Sequence, residues 1–104
     1  GFQEGNYGNR LKNIVFMELL RRGYTVDVGR LDEKEIDFIA RKNGSVEYYQ
    51  ICYRLPSNTH ETDKLLQIPD NHRKVLITGR YEDSGNVEGI ELLYIVDWLL
   101  TESK

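Results

Sequence analysis

Two carboxylates, a carboxamide and a thiol are the residues of this chain whose types and spacing could do chemistry: Glu18, Asp37, Gln50 and Cys52. Carboxylates brought together hold a hard divalent cation such as Mg²⁺ or Mn²⁺, and the ion lowers the pKa of its bound water until that water is a nucleophile. Gln50 offers such an ion a neutral carbonyl oxygen, a weaker ligand than a carboxylate. Asp37, Glu18 and Gln50 are thus the candidate metal ligands. Whether the four meet depends on the elements that carry them.

Glu18 lies on a helix. Leu11, Ile14, Val15 and Leu19 recur with helical period. At about 100° per residue Glu18 returns almost over Leu11 and falls inside the apolar stripe. Arg21 and Arg22 in the last turn, with Gly23 as a left-handed cap, predict the stop. The competing reading is local: Glu18 pairs with Arg22 one turn on and does nothing else.

Asp37 and Gln50 lie on a hairpin. The runs 35–41 and 46–53 are rich in β-branched and aromatic residues, and Asn43-Gly44 between them is the strongest short signal for a two-residue turn with both residues at positive φ. With that turn, Asp37 faces Gln50 and Glu35 faces Cys52, so the four side chains share one surface. Alternation sends Ile36, Phe38 and Ala40 to the other, core-facing side. A half-wet sheet face with ordinary polar residues is the plainer alternative.

The rest of the chain completes an α/β order, α-β-β-β-α-β-β-α. Residues 24–29 alternate as a first strand with Tyr24, Val26 and Val28 inward. A short helix capped by Thr59 runs through Leu65, Leu66 and Gln67. Residues 74–78 read as a buried central strand, 79–89 as a loop, 90–94 as a last strand, and 95–100 as a closing helical turn anchored by Trp98.

Composition bounds the reading. The chain has 104 residues, 39% hydrophobic and 30% charged, which suits one globular domain. No apolar run approaches the roughly 20 residues of a membrane-spanning helix, so no membrane partner is expected. Cys52 is the single cysteine, which predicts a reducing, cytoplasmic setting and a buried structural thiol. A net charge of −3 argues against strong, indiscriminate DNA binding. The basic pairs Arg21-Arg22, Arg41-Lys42 and Arg73-Lys74 could track a phosphate backbone only if they gathered around Asp37. The first residue is Gly and the only Met is Met17, so the chain reads as a piece of something longer. Residues 1–10, glycine-rich and polar, read as a linker from a preceding domain, and residues 11–104 as the domain proper.

The order helix, three-stranded meander, helix, strand resembles the core of the restriction-endonuclease-like, PD-(D/E)XK fold, a mixed central sheet flanked by helices. The stretches Asn13–Tyr24, Lys34–Ala40 and Ile68–Lys74 more closely resemble a C-terminal domain of bacterial and archaeal AAA-type ATPases, and the likeness runs over nearly the whole chain from about Leu11. The resemblance implies Glu18 as the helix carboxylate and Asp37 as the principal metal ligand. It puts Gln50 where the catalytic Glu belongs and Cys52 where the Lys belongs, so the catalytic positions are vestigial. A thiol cannot supply the ammonium that steadies developing phosphoryl charge, a loss commonly worth on the order of 10²–10³ in rate. The implied domain is a regulatory or binding module for nucleic acid or protein, with its own ATPase domain as partner. A weak Mg²⁺- or Mn²⁺-dependent DNA nuclease and a purely structural interaction domain are the alternatives.

Overall fold

The computed structural model describes residues 2–31, 34–55 and 60–101. Helix α1 (Phe2–Arg21) leads into a meander of β1 (Thr25–Leu31), β2 (Lys34–Lys42) and β3 (Ser45–Cys52). Then come α2 (His60–Leu66), β4 (Arg73–Thr78), a 3₁₀ turn (Tyr81–Asp83), β5 (Gly85–Val87), β6 (Ile90–Tyr94) and α3 (Ile95–Leu100). One six-stranded mixed sheet runs in the order β1-β2-β3-β4-β6-β5. β3, β4 and β6 are parallel neighbours, and the remaining pairings are antiparallel.

Both faces of the sheet are covered. On one, Leu11, Val15 and Leu19 of α1 and Trp98 of α3 pack on Phe38, Ala40, Tyr49, Ile51, Val75 and Ile77. On the other, Leu65 of α2 and Ile68 pack on Ile36, Ile39, Tyr48, Leu76, Ile90 and Leu92. Burial on both faces is what a parallel centre demands, and it makes β4 the expected buried central strand.

Local chemistry fixes two joints as the sequence predicts. Gly23, at φ 93°, ends α1: its N–H reaches the Leu20 carbonyl and that of Tyr24 the Leu19 carbonyl, the paired bonds of a Schellman stop. Asn43 (φ 52°) and Gly44 (φ 84°) close the hairpin with Lys42 opposite Ser45.

Four expectations need correction. The helix starts at Phe2 rather than at about Leu11, so residues 2–10 are helical. Helix propensity at Gly5 and Gly8 is poor, but Leu11 is buried below them and the Tyr7 ring lies 5.2 Å from that of Tyr53. Residues 79–89 are not a plain loop, since β5 pairs with β6 across a two-residue Glu88-Gly89 turn in which both φ angles are positive. Val28 points outward and is 83% exposed. Ile36 leaves the face of Phe38 and Ala40 and joins the α2 side.

The last two share a cause. β1 and β2 pair Asp27 with Ile39, then Gly29 with Ile36. Asp37 and Phe38 therefore stand opposite Val28 alone, a β-bulge whose extra residue shifts the alternation by one. Gly29 is required beside it: a Cβ there would come within 2.7 Å of the Ile39 side chain and 3.1 Å of Ile36. The Thr59 cap falls outside the described residues.

Candidate functional site

The bulge places Asp37. The β2–β3 ladder holds from Lys42–Ser45 to Phe38–Tyr49, and beyond it side chains replace the backbone ladder. The Ile51 N–H donates to Asp37 Oδ2 at 2.8 Å, and the Asp37 N–H donates to Gln50 Oε1 at 3.2 Å. Lys12 of α1 brings its ammonium 3.5 Å from Asp37 Oδ1. Gln50, buried, spends its other end on α2, donating from Nε2 to Glu61 Oε2 at 2.9 Å. Lys64 lies 3.6 Å from that same oxygen.

The direct Asp37–Gln50 pair expected from the turn register is not part of the ladder, which ends one pair earlier; the two residues are joined through side chains and do not offer their oxygens to one surface. The Asp37 carboxylate is met from α1 and the Gln50 carboxamide from α2, on opposite faces of the sheet. Glu35 and Cys52 are not a ladder pair either, because the β2–β3 ladder ends at Phe38–Tyr49.

Cys52 is half-buried, and its thiol donates to the Arg54 carbonyl at 3.0 Å. Burial pushes the thiol pKa up, and the charges of Glu61, Asp83 and Asp37 push it the same way. A thiol held protonated is neither a nucleophile nor a substitute for an ammonium. Beside it a depression of about 350 Å³ is lined by Gly8, Asn9, Lys12, Cys52, Tyr53 and Arg54.

Glu18 is elsewhere. Arg21 holds it with two bonds of 2.8 and 2.6 Å, and Arg22 with one of 2.7 Å. The Arg21 hydrogen bonds do most to lower its pKa; burial opposes them, Arg22 adds to them, and the carboxyl settles at about 2. Arg22 also donates to the carbonyls of Trp98 (2.7 Å) and Thr101 (2.9 Å), and its guanidinium stacks 4.6 Å from the Trp98 ring centre. It therefore caps the end of α3. The local reading of Glu18 is the right one, and the expected convergence with Asp37 does not occur. Six residues and about 9 Å of helix separate Glu18 from Lys12, the residue of α1 that faces Asp37.

Lys12 and Glu61 are the residues that sequence reasoning missed. Glu61 carries a visible signal, an acid in the first turn of a helix, but that signal speaks only of the helix dipole. Lys12 beside the apolar Leu11 looks like a solvated flank. The basic pairs gather at the other end of the hairpin and are engaged: Arg41 with Asp27, Lys42 with the Arg22 carbonyl, Arg73 with Glu91 and Glu47, Lys74 with Asp70.

The donor set does not fit a divalent cation. A hard cation needs several charged oxygens converging from one side. Here Gln50 stands between Asp37 and Glu61 with both ends of its amide bonded. Among the described residues no three His, Cys, Asp or Glu side chains form a group that could hold a metal ion.

No family model matches this chain, and no solved structure matches it. It is similar to an uncharacterized protein of Haemophilus influenzae, at 61% identity over 100 residues. The match covers 96% of this chain and 25% of that protein, so the chain spans a quarter of the length of the curated relative it matches. No helix among the described residues is long and apolar enough to cross a membrane.

Proposed function

We propose that this chain is a nuclease-like domain, of the kind joined to AAA-type ATPases, in which hydrogen bonds have replaced the metal centre and which serves as a binding or regulatory module. The two-ended bridge of Gln50, from the Asp37 N–H to the Glu61 carboxylate, carries this reading. A glutamate at that position would set its charge against Glu61. Glutamine removes the repulsion and closes the site with neutral bonds. The element order supports the fold assignment: a helix, a three-stranded meander, a helix and a strand, with helices on both faces. The depression beside Cys52, with Lys12, Arg54 and Tyr53 on its walls, is the surface we assign to ligand contact.

One observation favours a second reading, a weak Mg²⁺- or Mn²⁺-dependent DNA nuclease. Lys12 brings to Asp37 the ammonium that Cys52 cannot supply. Titration calorimetry with Mn²⁺ separates the two. The module reading expects no binding heat from the chain as it stands and measurable binding after Gln50→Glu with Cys52→Lys. Metal-dependent DNA cleavage by the unmodified chain, abolished by Asp37→Ala, would overturn it and establish the second. A folded double variant that binds no Mn²⁺ removes these positions from consideration as a former metal site.

A further inference from the structure

Helix α1 is apolar on two sides. Leu11, Val15 and Leu19 face the sheet, while Ile14, Met17 and Leu20 form a second stripe turned away from it. A helix that packs on one core needs one stripe. α3 extends the outer one: Leu99 lines an apolar notch of about 490 Å³ with Ile14 and Met17, and Val96 and Leu100 lie exposed beyond. Of the nine large hydrophobic side chains exposed among the described residues, five (Ile14, Met17, Leu20, Val96 and Leu100) belong to this face, so the exposure is concentrated rather than scattered. The rim is polar but self-satisfied, because Glu18 and Arg21 are bonded to each other. The face therefore offers a partner apolar surface and few free charges.

We infer that this α1–α3 face is an intramolecular seat for an apolar surface of another region of a longer polypeptide. The length of the Haemophilus influenzae relative carries the choice of occupant. This unit makes up 25% of that protein, at 61% identity, so there it is covalently joined to a much larger remainder. A tethered neighbour docks at high effective concentration and needs only a modest apolar seat. The inference is independent of whether the Asp37 region ever held a metal.

Met17 is the only methionine and is 63% exposed, which makes its oxidation a direct reading of the seat. The 104 residues are placed in the relative in exchange for its aligned quarter. Peroxide oxidation of Met17 is then followed by mass spectrometry in this chimera and in the 104-residue chain. Slowing of about tenfold or more in the chimera, unchanged on dilution, is the expected result. The pair Ile14→Asp and Leu100→Asp should return the chimera to the fast rate. Equal rates in the two proteins, with Cys52 still slow to alkylate and the domain therefore folded, would overturn the inference. So would protection of Met17 already present in the 104-residue chain and lost on dilution, which would assign the face to a second copy. Should the chimera not fold, hydroxyl-radical footprinting of the unmodified relative decides: protection over the residues aligned with Ile14–Leu20 supports the seat, and full reactivity there overturns it.

Discussion

Glu18 and Asp37 are both carboxylates beside a cation, both at the margin of the core, and they do different work. Glu18 belongs to a structural joint. Its partners are the arginines three and four residues on, and through Arg22 it ties the end of α1 to the end of α3. Asp37 sits where two strands stop pairing. Its partners come from a strand and a helix distant in sequence, and it holds the gap open in a defined shape. A carboxylate that satisfies its own helix is a staple. One that terminates a ladder is available to be rebuilt into a site, and here Gln50 links the Asp37 N–H to Glu61.

Arg22→Ala should break the staple most severely. It leaves Glu18 with the exposed Arg21 alone and removes the stack on Trp98. The Arg22 and Glu18 side chains are 8% and 12% exposed, so the loss should approach that of a buried pair, about 2–4 kcal/mol in a urea melt. A loss below about 0.5 kcal/mol would place Glu18 and Arg22 among ordinary surface pairs and erase the contrast.

Gln50→Glu tests the other region. The new carboxylate loses the bond to Glu61 and faces its charge, so stability at neutral pH should fall by about 1–2 kcal/mol. The sign with pH is distinctive: like charges raise a carboxyl pKa in the folded state, so the deficit is full at neutral pH and shrinks as pH falls through about 4–5. Mn²⁺ should recover part of it by binding the folded form. A variant as stable as the unmodified chain at pH 7 without metal would deny that Gln50 is the closure.

Glu18→Gln should cost less, about 1 kcal/mol at neutral pH, because the shape and one acceptor survive. The Glu18 carboxyl pKa is lowered from an ordinary 4.5 to about 2. Its contribution is therefore complete above 4.5 and lost as pH falls through about 2. Acid melts of the unmodified chain and of Glu18→Gln should converge at the low end of that window. Curves that stay parallel there would remove Glu18 as the source.

Asp37→Asn should have the smallest effect, within about 0.5 kcal/mol, since an amide oxygen can still accept from the Ile51 N–H and the contact with half-exposed Lys12 is worth little. A large loss would make Asp37 a second staple and collapse the two regions into one kind.

What the sequence made legible was local. Gly23 announces a left-handed stop, Asn43-Gly44 announces a turn and its register, and Trp98 announces an anchor; each signal lies within a few residues of its effect. The pairing of Glu18 with Arg22 is equally local, yet the apolar stripe around it argued for the opposite conclusion. What was not legible was set by contacts between distant elements. No residue pattern marks the bulge, because Asp37 and Phe38 are both ordinary in a regular strand and only Val28 opposite them shows the extra residue. Strand β5 was missed because Glu88-Gly89 lacks the asparagine that betrays Asn43-Gly44. Lys12 and Glu61 gained their meaning only when α1 and α2 were laid on opposite faces of one sheet.

The bulge at Asp37 and Phe38 has one more consequence. It works as a phase shift in the strand's code. Upstream of it an even position reads toward α2; downstream an even position reads toward α1. Ile36 and Phe38, two apart and chemically alike, therefore answer to different neighbours, and a polar replacement at one loosens α2 while the same replacement at the other loosens α1. Deleting Asp37 would therefore keep both halves facing as they do, Ile36 toward α2 and Phe38 toward α1, in an unbroken two-residue rhythm. Forcing the same residues into a regular ladder without a deletion would instead turn one half of β2 inside out with respect to the other.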